Sequence, residues 1–195
     1  NSSPKKVFQP VPPDVEKALR KSVDQEETGS AAQGALHTII ENVELARKNS
    51  TPICQDTGTP IFYVYYPAGW STLKLRAQIR AAVAQATAKS YLRPNAVDSI
   101  SGKNSGNNLG DDHFPSIHFE EVEGETLRID LMLKGGGCEN VGAQYRLPDA
   151  RLGAGRDLAG VRKVVLDAVH QAQGKGCAPG ILGVAIGGDR GSSYY

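Results

Sequence analysis

The sequence predicts a mixed α/β (α+β) fold, in which N-terminal helices pack with a small mixed sheet. Two observations lead to this class. Four segments repeat apolar residues at helical spacing, and short β-branched and aromatic runs alternate irregularly with them. The chain has 195 residues and no break in composition, so we expect residues 1–195 to form a single domain.

Two helices are predicted before residue 50. Asp14 can cap the first, and its apolar positions fall on one stripe: Val15, Ala18, Leu19 and Val23. Ser30 and Gln33 form a capping-box pattern. The second helix should therefore begin at Ser30 and run to about Lys48.

The middle of the chain predicts a strand, a helix and a long loop. Residues 61–66 are β-branched and aromatic, which is typical of a strand. A third helix should begin near Thr72 and end before Pro94. Residues 98–113 are rich in Ser, Gly, Asn and Asp, and a polar loop of this length favours a functional or mobile segment.

The last third of the chain predicts a hairpin, a helix and a strand. Residues 116–122 and 127–133 flank a short turn and should pair as a β-hairpin. A glycine-rich turn at residues 134–140 follows it. Asp157 can cap a fourth helix, and residues 181–186 predict a final strand.

The charge pattern excludes some classes of partner. The 22 basic and 21 acidic residues nearly cancel and are interspersed, so we expect neither nucleic acid nor a membrane surface as partner. No apolar stretch approaches the roughly 18 residues of a membrane span, and the first residues lack the apolar core of a signal peptide. We therefore expect a cytoplasmic protein.

Three cysteines, Cys54, Cys138 and Cys177, are widely spaced. An odd number at this spacing matches neither a disulfide framework nor a CxxC pair, and spacing alone favours buried thiols. Cys54, however, lies in the run Pro-Ile-Cys-Gln-Asp-Thr-Gly at residues 52–58. This run places a soft ligand, an amide and a carboxylate side by side in a loop bracketed by Pro and Gly.

The run at residues 52–58 resembles the signature of the class I (iron-sulfur) fumarate hydratase family, which includes the α subunit of L-tartrate dehydratase. Further blocks resemble that family in the same order along residues 14–190: residues 92–97, 102–107, 134–140, and 176–180 followed by 187–188. Five ordered blocks are far more specific than any one of them.

The resemblance implies a 4Fe-4S cluster held by three cysteines, with one iron open to substrate. Cys54 and Cys177 match two of the ligand motifs, and we expect the third cysteine ligand beyond residue 195. The chain is then a C-terminally truncated N-terminal or α portion. Cys138 is less suited to be a ligand, because family members often have serine at its position.

The implied reaction is the reversible hydration of fumarate to malate, a small dicarboxylate chemistry. Gln55 and Asp56 resemble catalytic residues that contact the substrate, although an amide and a carboxylate can also simply satisfy loop backbone. Arg93 resembles an arginine that grips a substrate carboxylate. Gly135, Gly136 and Gly137 would let backbone N–H groups approach a carboxylate, unless they only supply positive φ at a turn.

No general base emerges from the sequence. The resemblance implies that a β subunit or C-terminal domain supplies it, that the enzyme is a homo- or hetero-oligomer, and that the chain alone is inactive. Two alternatives stay open: an L-tartrate dehydratase α subunit, and a non-catalytic module that senses iron or oxygen or binds a partner. A cysteine-nucleophile enzyme is a third reading, but no segment resembles a nucleophile elbow.

Overall fold

The computed structural model describes residues 11–111, 113–177, 180–189 and 191. The elements follow one another as α1 (Pro13–Gln25), α2 (Ala31–Asn49), β1 (Thr59–Pro67), α3 (Thr72–Ala88), β2 (Ser116–Val122), β3 (Arg128–Lys134), α4 (Gly136–Glu139), α5 (Leu158–Ala172) and a 3-10 turn (Gln173–Lys175). Helices beside a small mixed sheet confirm the predicted α+β class. The chain divides into two compact units, Asn1–Gly136 and Gly137–Tyr195, and the single domain stays a prediction.

The first two helices are confirmed, with one correction. α1 begins at Pro13 after Pro12 as N-cap, so Asp14 is not the cap but lies in the first turn, where its charge still favours the helix dipole. Ser30 does cap α2, because its Oγ accepts the Gln33 N–H at 3.1 Å. The Gln33 side chain in turn accepts the Gly29 N–H at 2.9 Å, which completes a box-like cap.

Charged side chains join α1 to α2. Arg47 contacts Glu16 at 2.6 Å and Glu44 at 2.7 Å, and Arg20 contacts the same two carboxylates at 2.8 Å and 2.9 Å. The hydrogen bonds from Arg20 and Arg47 lower the pKa of Glu16. Four side chains on two helices thus form one closed network that fixes the helix pair.

The sheet shows that the predicted hairpin is wrong. β1 is the central strand of the order β2-β1-β3, with β2 parallel to it and β3 antiparallel. Residues in both segments do form strands, but they pair with β1 and not with each other. β1 takes the centre because it is the strand most buried, with Val64 only 1% exposed, and a central strand has both edges hydrogen-bonded.

α3 covers one face of this sheet. Val64 of β1 packs with Leu75 and Ile79 of α3, and five partly buried side chains surround them: Phe62, Tyr66, Ile117, Phe119 and Leu127. The parallel pair β1 and β2 is therefore connected through α3, as parallel strands require a crossover. β3 is an edge strand.

The second unit contains α5 and the 3-10 turn, and much of its other described chain is irregular. Asp157 caps α5 as predicted, since its Oδ1 accepts the Gly160 N–H at 2.7 Å. The predicted strand at residues 181–186 is wrong: this segment is irregular, and Ile181 is 77% exposed. A strand needs a neighbour for its backbone groups, and within the described part of the second unit there is no other strand to pair with. Among the described residues, no helix has the length and apolarity to cross a membrane.

Candidate active site

The loop that carries Cys54 connects α2 to β1 in the first unit. Its start is tied to α2, because the Asn42 amide donates to the Ile53 carbonyl. Cys54 and Gln55 then lie exposed. The Asp56 N–H points at the Cys54 sulfur, with N···S 3.4 Å. The thiol is therefore a surface group that already accepts a backbone hydrogen bond, and not the buried hydrophobe that spacing alone favours.

Asp56 joins this loop to the glycine-rich segment. Its Oδ1 accepts the Gly58 N–H at 3.1 Å, and its Oδ2 accepts the Gly136 N–H at 3.0 Å. The carboxylate that Gly136 contacts is thus one of the chain's own, and the predicted contact of this glycine with a substrate carboxylate stays a prediction. In this structure Asp56 satisfies loop backbone with both oxygens.

Gly58 closes the loop against β3. Its φ is 83°, in the region that only glycine adopts freely. A Cβ at this position would lie 2.8 Å from the Leu133 carbonyl carbon and 2.9 Å from the Lys134 N and carbonyl carbon. Only a residue without a side chain lets the loop approach the end of β3 this closely.

The segment with Arg93 runs beside the same loop. The Arg93 N–H donates to Thr57 Oγ1 at 2.9 Å, and the Asn95 amide donates to the Gly58 carbonyl at 3.5 Å. The Arg93 guanidinium is exposed and has no hydrogen-bond or ion-pair partner among residues that the structure describes. It is therefore available to an anion at the edge of the cysteine loop.

The long polar loop holds the Arg93 segment from its other side. The Asn104 amide donates to the Pro94 carbonyl at 2.8 Å, and the Ser105 N–H to the Ala96 carbonyl at 2.9 Å. Asn108 Oδ1 accepts the Asn95 N–H at 3.1 Å. Sequence reasoning missed these contacts, although their signal was present as asparagines in a loop too long for a connector.

The other two cysteines and Gly137 lie in the second unit. Cys177 is exposed and Cys138 is partly buried, with its sulfur 3.9 Å from the Cys177 carbonyl oxygen. A Cβ on Gly137 would lie 2.8 Å from the Cys177 sulfur. None of the three glycines at residues 135–137 has a positive φ. Glycine is therefore required at position 137 because the Cys177 sulfur lies close to it, and not because of a turn conformation. Ala178 and Pro179, which complete the second cysteine motif, lie outside the described residues.

The structure thus assembles part of the predicted site. Within the first unit it brings together the loop at residues 54–58, the backbone of Arg93 and Gly136. Cys54 belongs to the first unit and Cys177 to the second. No group of three His, Cys, Asp or Glu side chains in the described ranges is placed to hold a metal ion.

Comparison with known proteins decides the family. The sequence model of the family described as fumarate hydratase (Fumerase) matches residues 4–195. The chain belongs to this fumarate hydratase family. The resemblance predicted from five ordered blocks is therefore confirmed.

The relatives of this fumarate hydratase family member fall under two names, fumarate hydratase and L(+)-tartrate dehydratase. A Geobacillus stearothermophilus protein provisionally named fumarate hydratase class I is 48% identical over 187 residues, which is 94% of this chain and 36% of that protein. The L(+)-tartrate dehydratase subunit alpha of Escherichia coli K12 is 30% identical over 178 residues, covering 90% of this chain and 56% of the relative. A Methanocaldococcus jannaschii protein provisionally named as the same subunit is 31% identical over 182 residues, covering 91% and 62%. The chain therefore spans between about a third and two thirds of each of these relatives.

Proposed function

We propose that this chain is part of a hydro-lyase that catalyses the reversible hydration of fumarate to malate. The observation that carries the proposal is that the loop of the exposed Cys54 is bonded, through Thr57, to the backbone of Arg93, whose guanidinium has no partner among the described residues. A thiol that can hold a metal cluster and a cation that can hold a carboxylate belong to one loop system. Addition of water to a dicarboxylate uses both groups, together with a general base.

The Cys54 loop fits an iron-sulfur cluster by the chemistry of its donors. Cys54 is exposed, and the Asp56 N–H already points at its sulfur, a contact of the kind that stabilises cluster thiolates and tunes their potential. We propose Cys54 and Cys177 as two of three cysteine ligands of a 4Fe-4S cluster, with the third beyond residue 195. When bound, the cluster would supply a Lewis-acidic open iron to the hydroxyl and one carboxylate of malate.

Arg93 binds the other carboxylate in this proposal. A planar guanidinium donates two parallel hydrogen bonds to a carboxylate, and Arg93 has both edges available because no described residue occupies them. The backbone bond to Thr57 places the base of this side chain beside the cysteine loop. Arg93 thereby orients the substrate relative to Cys54.

Gln55 and Asp56 contact the substrate next to the cluster. Gln55 is exposed, and its amide can both donate to and accept from a hydroxyl or carboxylate. Each Asp56 oxygen accepts one backbone N–H, and a carboxylate has about four acceptor sites. Asp56 can therefore keep the loop in place while accepting a substrate hydroxyl through a second lone pair.

We further propose that a β subunit or a C-terminal domain completes the site and supplies the general base, within a homo- or hetero-oligomer in the cytoplasm. The name "subunit alpha" of the Escherichia coli relative supports a partner subunit, and the Geobacillus relative extends well beyond the match. The isolated chain should then be inactive.

The test of ligation uses the full-length protein with its partner, reconstituted with iron and sulfide without oxygen. Broad absorbance near 400 nm together with fumarate hydration supports the proposal. Cys54→Ser and Cys177→Ser should each lose the absorbance, whereas Cys138→Ser, the matched control, should retain it. Unchanged iron content in the first two variants would show that the ligand assignment is wrong.

The test of substrate binding replaces Arg93. Arg93→Ala should raise KM for fumarate by about 10- to 100-fold while iron content stays constant, because one bidentate carboxylate contact is lost. Arg162→Ala, at an exposed position of α5, removes an arginine outside the proposed site and should change neither. If Arg93→Ala loses the cluster absorbance, Arg93 is a structural residue.

L-Tartrate is the second candidate substrate, because the tartrate dehydratase alpha subunits match 90% or more of this chain. The ratio of kcat/KM for fumarate and L-tartrate decides between the two. A protein that assembles a cluster but turns over neither dicarboxylate would favour the non-catalytic, iron- or oxygen-sensing alternative.

A further inference from the structure

One asparagine of the polar loop is completely buried. Asn108 has 0% exposed surface, although its neighbours Gly106 and Asn107 are exposed. Its backbone adopts a left-handed φ of 61°, and its Oδ1 accepts the Asn95 N–H at 3.1 Å. Its Nδ2 donates to no residue within the part of the chain that the structure describes.

Stability alone does not explain this side chain. Glycine would adopt the same φ without strain, and it would bury no amide. A buried donor without a partner lowers stability. The buried Nδ2 thus carries a cost, and the hydrogen bond that the side chain makes within the described residues is the one from the Asn95 N–H.

That contact fixes the segment with the free guanidinium. Asn95 lies two residues after Arg93, and its own amide reaches the Gly58 carbonyl in the cysteine loop. Asn108 therefore bonds to the backbone of Asn95, while the side chain of Asn95 bonds to the loop of Cys54. Loss of the Asn108 contact removes one of the bonds that hold this backbone in place beside the loop, along with those from Asn104 and Ser105.

The position of Asn108 is itself fixed by α3. The Arg80 guanidinium donates to the Asp111 and Phe114 carbonyls, each at 2.7 Å, and to the Gly110 carbonyl at 3.2 Å. These carbonyls lie two, three and six residues after Asn108. A helix of the core thus anchors the end of the loop from which Asn108 reaches Asn95.

We propose that Asn108 is a positioning residue, which acts through Asn95 to set the place of the Arg93 guanidinium and so the affinity for a dicarboxylate. The inference rests on the proposed function. Asn108 touches no substrate, and its effect is on the alignment of Arg93. It should therefore change KM more than kcat.

The experiment compares three variants in the full-length, anaerobically reconstituted enzyme. Asn108→Gly keeps the backbone conformation and removes the bond to Asn95. It should raise KM for fumarate by about 5- to 10-fold, less than the loss of the whole Arg93 contact, with cluster absorbance retained. Asn108→Asp keeps the accepting oxygen and should hold KM within about threefold. Asn107→Gly is the matched control at an exposed neighbour: it removes a side chain that accepts the Leu109 N–H within the loop at 3.1 Å and not the Asn95 N–H, and it should leave KM unchanged.

Two results overturn the inference: equal KM in Asn108→Gly and Asn107→Gly, or loss of cluster absorbance in parallel with the rise in KM, which would make Asn108 a support of the cysteine loop. If the unsubstituted enzyme hydrates no dicarboxylate, the proposed function fails, and hydrogen exchange decides on Asn108. Faster exchange of the Asn95 amide in Asn108→Gly than in Asn107→Gly then supports its hold on the segment. Equal exchange refutes it.

Discussion

Replacing Gly58 by alanine should cause a large loss of stability in the first unit. Two costs add. An L residue held at a φ of 83° costs about 1–2 kcal/mol. The new Cβ would also lie 2.8–2.9 Å from backbone atoms of Leu133 and Lys134, which no side-chain rotation can relieve, and overpacking of this kind costs about 1–3 kcal/mol. The free energy of unfolding should fall by about 2–5 kcal/mol in total.

Gly29 offers a matched control for this prediction. Its φ is 82°, but a Cβ there would meet nothing within 4 Å. Gly29→Ala should therefore show only the conformational cost of about 1–2 kcal/mol. Urea unfolding followed by far-UV circular dichroism and by fluorescence of Trp70, the single tryptophan, measures both. If the two variants agree within about 0.5 kcal/mol, the close approach of the loop to β3 is wrong.

Two predictions concern α5. Asp157→Ala removes the oxygen that accepts the Gly160 N–H and should lower the unfolding free energy by about 1 kcal/mol. Asp157→Ser keeps a capping oxygen and should retain most of the stability. An unchanged urea midpoint in the alanine variant would contradict the cap. The Asp167 pKa is lowered to about 2 because Arg151 and Tyr145 both donate to its Oδ2. Its folded pKa lies below the unfolded value, so its contribution is present above about pH 4 and is lost as the pH falls through about 2. Asp167→Asn should flatten the pH dependence of unfolding between those values, and identical slopes would refute the contact.

The sequence predicted the helices better than the strand pairing. Ser30, Gln33 and Asp157 act on N–H groups within four residues, so the local pattern contains the whole interaction. Pairing in the sheet depends on which strand is most buried, and the segments around residues 116–133 have the same local pattern whether they pair with each other or with β1. Residues 181–186 have the composition of a strand, but composition cannot supply a neighbour to pair with.

The structure brings some of the predicted site residues together, but the contacts between them could not be predicted from the sequence. The motif around Cys54 singled out Asp56. The simpler alternative, that its carboxylate accepts hydrogen bonds from the backbone, describes its contacts in the structure. The bond to Gly136 spans 80 residues, which no local pattern encodes. Asn108 was missed because neither burial nor an unpartnered amide can be read from a polar loop.

The central position of β1 has a consequence for the synthesis of the chain. The pairing of β1 with β3 has Tyr65 opposite Arg128 at one end. The ribosome must therefore add about 60 residues after the end of β1 before β3, the second partner strand of β1, begins. At 5–20 residues per second this takes roughly 3–12 s. During that interval an aromatic strand (Phe62, Tyr63, Tyr65 and Tyr66) has at least one unpaired edge, which favours aggregation. Expression at low temperature or with chaperones should therefore increase the yield of folded protein.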